Sequence, residues 1–145
     1  MNQTAELSQS IASTLNSNGL IISTIHAALP DTLAIYVFGS RVNTTANVES
    51  DLDLAVLTTT YADPVKLWEL SGDLAEIAGC PVDLLDMRAA STVMQYQILQ
   101  TGYRLWGEDL SAGLFECYVL SEKNALDNAR AGLLADIQSR GRVYG

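Results

Sequence analysis

The chain has 145 residues, of which 48% are hydrophobic, and its 8 basic and 17 acidic residues give a formal net charge of −9. This length is sufficient for one folded domain, and the hydrophobic fraction excludes an intrinsically disordered chain. The acidic charge, with no cluster of Lys or Arg, argues against a nucleic-acid partner. No run approaches the ~20 apolar residues of a membrane helix, so we expect no membrane partner.

The cysteines and the first residues bear on the cellular compartment. Cys80 and Cys117 form no CxxC pair, and with a single histidine they argue against a structural zinc site. The first ten residues lack the basic and apolar regions of a secretory signal. We therefore expect a cytoplasmic protein.

Two helices are predicted at the N-terminus, and together they form an N-terminal piece over 4–29. Apolar residues at every fourth position predict the first helix over Thr4–Leu15. A polar, glycine-containing break follows, and a second helix is predicted over Leu20–Leu29, before Pro30.

Four short strands are predicted next. Leu33–Phe38 is an apolar run that ends at Gly39, which is typical of a buried strand. Asp51–Leu57 alternates at first and then becomes apolar, and Pro81–Asp86 is a third strand. Tyr103–Trp106 is predicted to be an edge strand.

Three helices are predicted around these strands. Pro64–Ile77 is expected to begin at the N-cap Asp63 and to end at Gly79. Further helices are predicted over Ala90–Leu99 and over about 111–140.

These elements predict a single α/β domain over 1–145, with a small mixed sheet of about four strands packed against helices. Its catalytic core is predicted over about 33–106. Trp68 and Trp106 are expected to pack in the core or at its edge.

Asp51 and Asp53 are the strongest candidates for catalysis. Side chains two apart on a strand share one face, with Cα atoms ~6.6 Å apart. Two carboxylates this close repel each other, and a divalent cation removes that repulsion. Mg²⁺ is a hard cation that favours oxygen ligands, and two such ions can act together in phosphoryl transfer. The pair therefore predicts a metal-dependent site.

Gly39, Ser40 and Arg41 precede this pair in a polar loop. Glycine allows the backbone to approach a ligand closely, and the N–H and hydroxyl of Ser40 can bind a phosphate. The charged guanidinium of Arg41 can donate further hydrogen bonds to the phosphates. These three residues are predicted to bind the phosphates of a nucleotide.

Asp83 is predicted to complete the carboxylate set if its strand pairs beside Asp51 and Asp53. Its expected roles are metal ligand and general base for an attacking hydroxyl. Asp86 faces the opposite side and, like Asp31, is expected to serve in a turn or as a cap.

Gly39, Ser40, Asp51 and Asp53 match the GS-x10-DxD signature of the nucleotidyltransferase superfamily that includes DNA polymerase beta. The resemblance covers about Leu33–Trp106 and implies a polymerase-beta-like fold. The short chain, without a separate substrate domain, resembles the minimal nucleotidyltransferase (MNT) branch of this superfamily.

Members of the MNT branch are often antitoxins encoded beside a HEPN ribonuclease toxin. The resemblance implies that the chain binds such a toxin in a hetero-oligomer and transfers AMP from ATP to a toxin tyrosine. It implies that Gly39 and Ser40 hold the triphosphate, that Asp51 and Asp53 bind Mg²⁺, and that Asp83 assists the attack.

Two alternatives remain open at this point. The chain can be an antitoxin that neutralises its toxin by binding alone, with a vestigial carboxylate set. It can also be a nucleotidyltransferase that acts on a small molecule, although no extra substrate-binding domain is evident.

Overall fold

The structure is a computed structural model that describes residues 19–39 and 51–144, with side chains up to residue 139. The helix expected over Thr4–Leu15 and the loop residues Ser40 and Arg41 lie outside the described residues. The elements follow one another as α1 (19–28), β1 (Thr32–Phe38), β2 (Leu52–Thr58), α2 (Pro64–Ala78), β3 (Val82–Asp86), α3 (Thr92–Thr101), β4 (Tyr103–Gly107) and α4 (Asp109–Tyr144).

The four strands form one mixed sheet in the order β3-β2-β1-β4. β1 pairs antiparallel with both β2 and β4, whereas β2 and β3 are parallel and are joined by α2 as a crossover. The predicted α/β class and the edge position of the fourth strand are therefore confirmed.

Helices cover both faces of this sheet. One face packs against α1 and α2, and the other packs against α3 and α4. Alternate residues of β1 and β2 enter the two cores, which explains why both strands are apolar on both sides. The first core contains Ile21, Ile25, Ile35, Val37, Leu54, Val56, Leu70 and Leu74, and the second contains Ala34, Tyr36, Ala55, Leu57, Met87, Ile98, Ala112, Phe115 and Val119.

The boundaries of α2 agree with the prediction to within one residue, because capping residues define both of its ends. Asp63 accepts a hydrogen bond from the N–H of Val65, and Gly79 ends α2 in the left-handed conformation, at φ 71°. α3 begins at Thr92, two residues later than predicted, because Ser91 caps it and accepts from the N–H of Met94.

Trp106 and Trp68 have different environments. Trp106 is half-buried in the first core, and the ring of His26 meets it edge-on with 4.1 Å between ring centroids. Trp68 is 78% exposed, so the prediction that it packs in the core or at its edge is wrong. α2 buries Leu67, Leu70 and Leu74, and Trp68 lies outside this stripe.

A polar network anchors the first part of α4 to the sheet. Tyr36 of β1 donates its hydroxyl to Glu116 at 3.0 Å, and Arg104 of β4 donates two hydrogen bonds to the same carboxylate at 3.2 Å each. Burial, followed by the charge of Glu116, raises the pKa of Tyr36. One carboxylate of α4 is thus bonded to two strands.

α4 contacts the sheet only along its first part. Ala112, Phe115 and Val119 are buried, whereas every residue over 131–139 is exposed. None of the helices in the described ranges is long and apolar enough to cross a membrane.

Candidate functional site

The predicted carboxylates meet at one end of the sheet. In the parallel pair, Asp53 of β2 lies opposite Asp83 of β3, while Phe38, the last residue of β1, lies opposite Asp53 on the other side. Asp51 is exposed and directly precedes β2. The sheet register therefore places residues that are 30 positions apart in the chain side by side.

The side chain of Asp53 lies on the sheet face that α3 and α4 cover. Leu54 packs in the core with α1 and α2, whereas Ala55 and Leu57 pack in the core with α3 and α4. The alternation of strand side chains gives Asp53 the same face as Ala55 and Leu57. This is the alternation predicted from the sequence.

The environment of Asp53 disfavours its charged form. Partial burial is the largest cause of its raised pKa, followed by the charge of Asp83, a hydrogen bond with Asp83 and the charge of Asp51. None of the ion pairs among the described residues joins these three aspartates to a Lys or Arg. The protein thus gathers negative charge here without a described basic partner.

Gly39 brings the loop backbone against this carboxylate. Its φ is 80°, a conformation that L side chains rarely adopt. A Cβ atom placed on Gly39 would lie 2.0 Å from Oδ2 of Asp53, well inside van der Waals contact. The position therefore requires glycine both for its backbone conformation and for space. The sequence predicted that Gly39 lets the backbone approach a phosphate. Nothing in the sequence indicated this contact with Asp53.

The donor set suits a hard cation that a substrate helps to bind. Within 19–39 and 51–144, no group of three or more His, Cys, Asp or Glu side chains is already arranged around a metal position. Mg²⁺ in nucleotide sites is usually held by one or two carboxylates together with substrate phosphates. The adjacent, uncompensated Asp53 and Asp83 fit that kind of open site.

The remaining residues that the sequence singled out are Ser40, Arg41 and Asp86. Ser40 and Arg41 lie outside the described residues, so their predicted contacts stay predictions. Asp86 is buried and accepts hydrogen bonds from the N–H groups of Ala62 and Arg88, at 2.9 and 3.0 Å. Its predicted role in a turn is confirmed.

Comparison with known proteins agrees with this architecture. The family model for polymerase beta nucleotidyltransferases matches residues 21–110. The protein adenylyltransferase MntA of Shewanella oneidensis is 35% identical over 125 residues, which cover 86% of this chain and 89% of MntA.

Solved structures give the same result. A chain of a toxin–antitoxin complex with AMP-PNP superposes with a TM-score of 0.74 at 34% identity, covering 83% of this chain and 98% of that chain. A complex of tri-AMPylated Shewanella oneidensis HEPN toxin with MNT antitoxin gives a TM-score of 0.69 at 32% identity, covering 87% of this chain and 98% of the matched chain. The chain therefore belongs to the polymerase beta nucleotidyltransferase family.

Proposed function

We propose that the chain is a Mg²⁺-dependent protein adenylyltransferase that transfers AMP from ATP to a tyrosine of a HEPN toxin and thereby neutralises it. The observation that carries this proposal is the pairing of Asp53 with Asp83, against which Gly39 is tightly packed. The relatives support the choice of substrate and partner, because they include a protein adenylyltransferase and a chain from a complex of tri-AMPylated HEPN toxin with MNT antitoxin. ATP as the substrate fits a cytoplasmic location.

The proposed reaction is a displacement at the α-phosphorus of ATP. The tyrosine oxygen forms a bond to this phosphorus, the bond to the β-phosphate breaks, and pyrophosphate leaves. Asp83 is exposed at the sheet edge and accepts the phenol proton as general base. Asp51, Asp53 and Asp83 would hold two Mg²⁺ ions, and bound Mg²⁺ would supply positive charge at the phosphates.

The loop after β1 binds the phosphates in this proposal. Gly39 turns the chain at the carboxylates, and Ser40 and Arg41 follow directly. The N–H and hydroxyl of Ser40 and the guanidinium of Arg41 donate to the triphosphate.

The second half of α4 binds the toxin in this proposal. An α-helix of 36 residues is about 54 Å long, and only its first part packs on the sheet. Leu133, Leu134 and Ile137 are 59%, 60% and 53% exposed, so an apolar stripe extends away from the core. Such a stripe is typical of a helix that docks on a protein partner.

Intact-mass spectrometry tests the proposed function. The chain, its cognate HEPN toxin, ATP and Mg²⁺ are mixed, in parallel with the Asp51→Ala/Asp53→Ala variant. We expect mass gains on the toxin in steps of one AMP, which EDTA stops, excess Mg²⁺ restores and the variant lacks. Toxin that stays unmodified but bound and inhibited would instead show neutralisation by binding alone.

Replacing Gly39 with Ala should disrupt the site more than its backbone conformation alone explains. Gly79→Ala is the matched control, because Gly79 also has a positive φ but has no atom within 4 Å of an added Cβ. The control should lose about 1–2 kcal/mol of stability and keep its transferase activity. Gly39→Ala displaces Asp53, and a shift of about 1 Å in a reacting group can lower the rate about 100-fold. Equal activity of the two variants would contradict this.

The stability of the metal-free protein should depend on pH through Asp53. Because its folded-state pKa is raised, its stabilising contribution is complete below the ordinary value of 3.8 and is lost as pH rises through the raised pKa. The Tm of Asp53→Asn minus that of the parent chain should therefore increase between about pH 4 and pH 7 in EDTA. The control Asp73→Asn removes one carboxylate from an exposed position of α2, and its Tm is measured at the same pH values. A constant difference for Asp53→Asn would refute this account.

The proposed toxin surface on α4 predicts a specific loss of binding. The Leu133→Asp/Ile137→Asp variant should weaken the complex by about tenfold or more, because each change introduces a charge that the toxin must desolvate. Leu110→Asp is the control, since Leu110 is 76% exposed in the first turn of the same helix. Titration calorimetry against the toxin measures both, with circular dichroism to verify the helix. Equal affinity for both variants would exclude this surface.

A further inference from the structure

A cavity lies at the end of the sheet opposite to the carboxylates. Its volume is about 500 Å³, within the range of small-ligand pockets. Its walls come from the residues after β2, from the turn after β3, and from α3 and α4. Thr59 directly follows β2 and is six positions from Asp53, so this cavity lies about 20 Å from the carboxylates. It is therefore separate from the candidate catalytic site.

Arg88 supplies a positive charge to this cavity. Its Nε donates to the carbonyl of Thr58, and the guanidinium lies 5.7 Å from the centre of the Phe115 ring. These two contacts hold the guanidinium between Thr58 and the Phe115 ring. Among the described residues, no carboxylate forms an ion pair with Arg88, and neither Nη atom has a hydrogen-bond partner. In a chain of net charge −9, a half-buried arginine without a paired acid suits an anionic ligand.

The acids near this cavity are already engaged. Asp86 accepts hydrogen bonds from two backbone N–H groups, and Asp31 accepts from the hydroxyl of Thr59. The hydroxyls of Thr60 and Thr92 also line the cavity and have no hydrogen-bond partner among the described residues. The cavity thus offers hydrogen-bond donors to an anion.

Aromatic side chains form the remaining wall. Phe115 is buried, and Tyr118 lies beside it with 6.4 Å between ring centroids and 57% of its surface exposed. Tyr61 faces the same cavity and is 74% exposed. Exposed aromatic rings beside an arginine favour a ligand that has both a planar ring and an anionic group.

We propose that this cavity is a second ligand site, which binds a nucleoside monophosphate independently of the carboxylates. The two Nη atoms of Arg88 and the hydroxyl of Thr92 bind the phosphate. Tyr118 and Tyr61 contact the base. The site needs no divalent cation, because the charge of Arg88 takes that role.

Chemical-shift mapping on the full chain tests the site. The ¹⁵N-labelled Asp51→Asn/Asp53→Asn variant is titrated with AMP in EDTA. The substitutions remove two of the carboxylates of the candidate catalytic site. We expect saturable shifts of backbone amides over 59–61 and 88–95. Shifts that cluster instead around Gly39 and Asp83, or no saturation up to about 10 mM AMP, would overturn the proposal.

Two variants, together with adenosine and inorganic phosphate as fragments of AMP, identify the contacts. Arg88→Gln should weaken AMP binding by about tenfold or more. Tyr118→Ala changes an exposed side chain and should weaken AMP and adenosine but not inorganic phosphate. Phosphate that binds as tightly as AMP, or unchanged AMP affinity in Tyr118→Ala, would overturn a nucleotide site. The Tyr118 variant keeps the test decisive if Arg88→Gln does not fold.

Discussion

The parallel pairing of β2 with β3 is the constraint on which the candidate site depends. It sets Asp53 beside Asp83, and the antiparallel pairing with β1 brings Gly39 against the same carboxylate. The surroundings disfavour the charged form of Asp53, since partial burial and the neighbouring charge of Asp83 both raise its pKa. The two hydrophobic cores on either side of the sheet hold the strands in this register despite that cost.

The remaining elements attach the first part of α4 to the sheet and leave its second part exposed. The network of Tyr36, Arg104 and Glu116 bonds the start of α4 to β1 and β4. Beyond Val119 the helix buries no residue in the part of the chain that the structure describes. The candidate carboxylates and the exposed apolar part of α4 thus lie on different segments of the chain. Our proposals assign the transfer reaction to the first and toxin binding to the second.

The two ends of the β2–β3 pair carry different polar side chains. The amino ends of β2 and β3 carry the aspartates, and the segments after their carboxyl ends carry Arg88 and several hydroxyl groups. In a parallel pair, the same ends of the two strands lie side by side. The candidate aspartates therefore lie at one end of the β2–β3 pair and Arg88 lies at the other, where the carboxylate of Asp86 is already hydrogen-bonded. This separation is the basis for two separate ligand sites in our proposals.

Local sequence signals determined most of the secondary structure and the identity of the candidate carboxylates. Period-two alternation fixed the face of Asp53, and Asp63 and Gly79 marked the ends of α2, because caps and strand periodicity depend only on neighbouring residues. Tertiary structure decided what depends on distant pairing. It placed Asp53 beside Asp83, pressed Gly39 against Asp53, and exposed Trp68, which composition alone had suggested was packed. The Tyr36–Glu116 bond and the cavity around Arg88 join segments up to 80 positions apart, and no local pattern encodes such contacts.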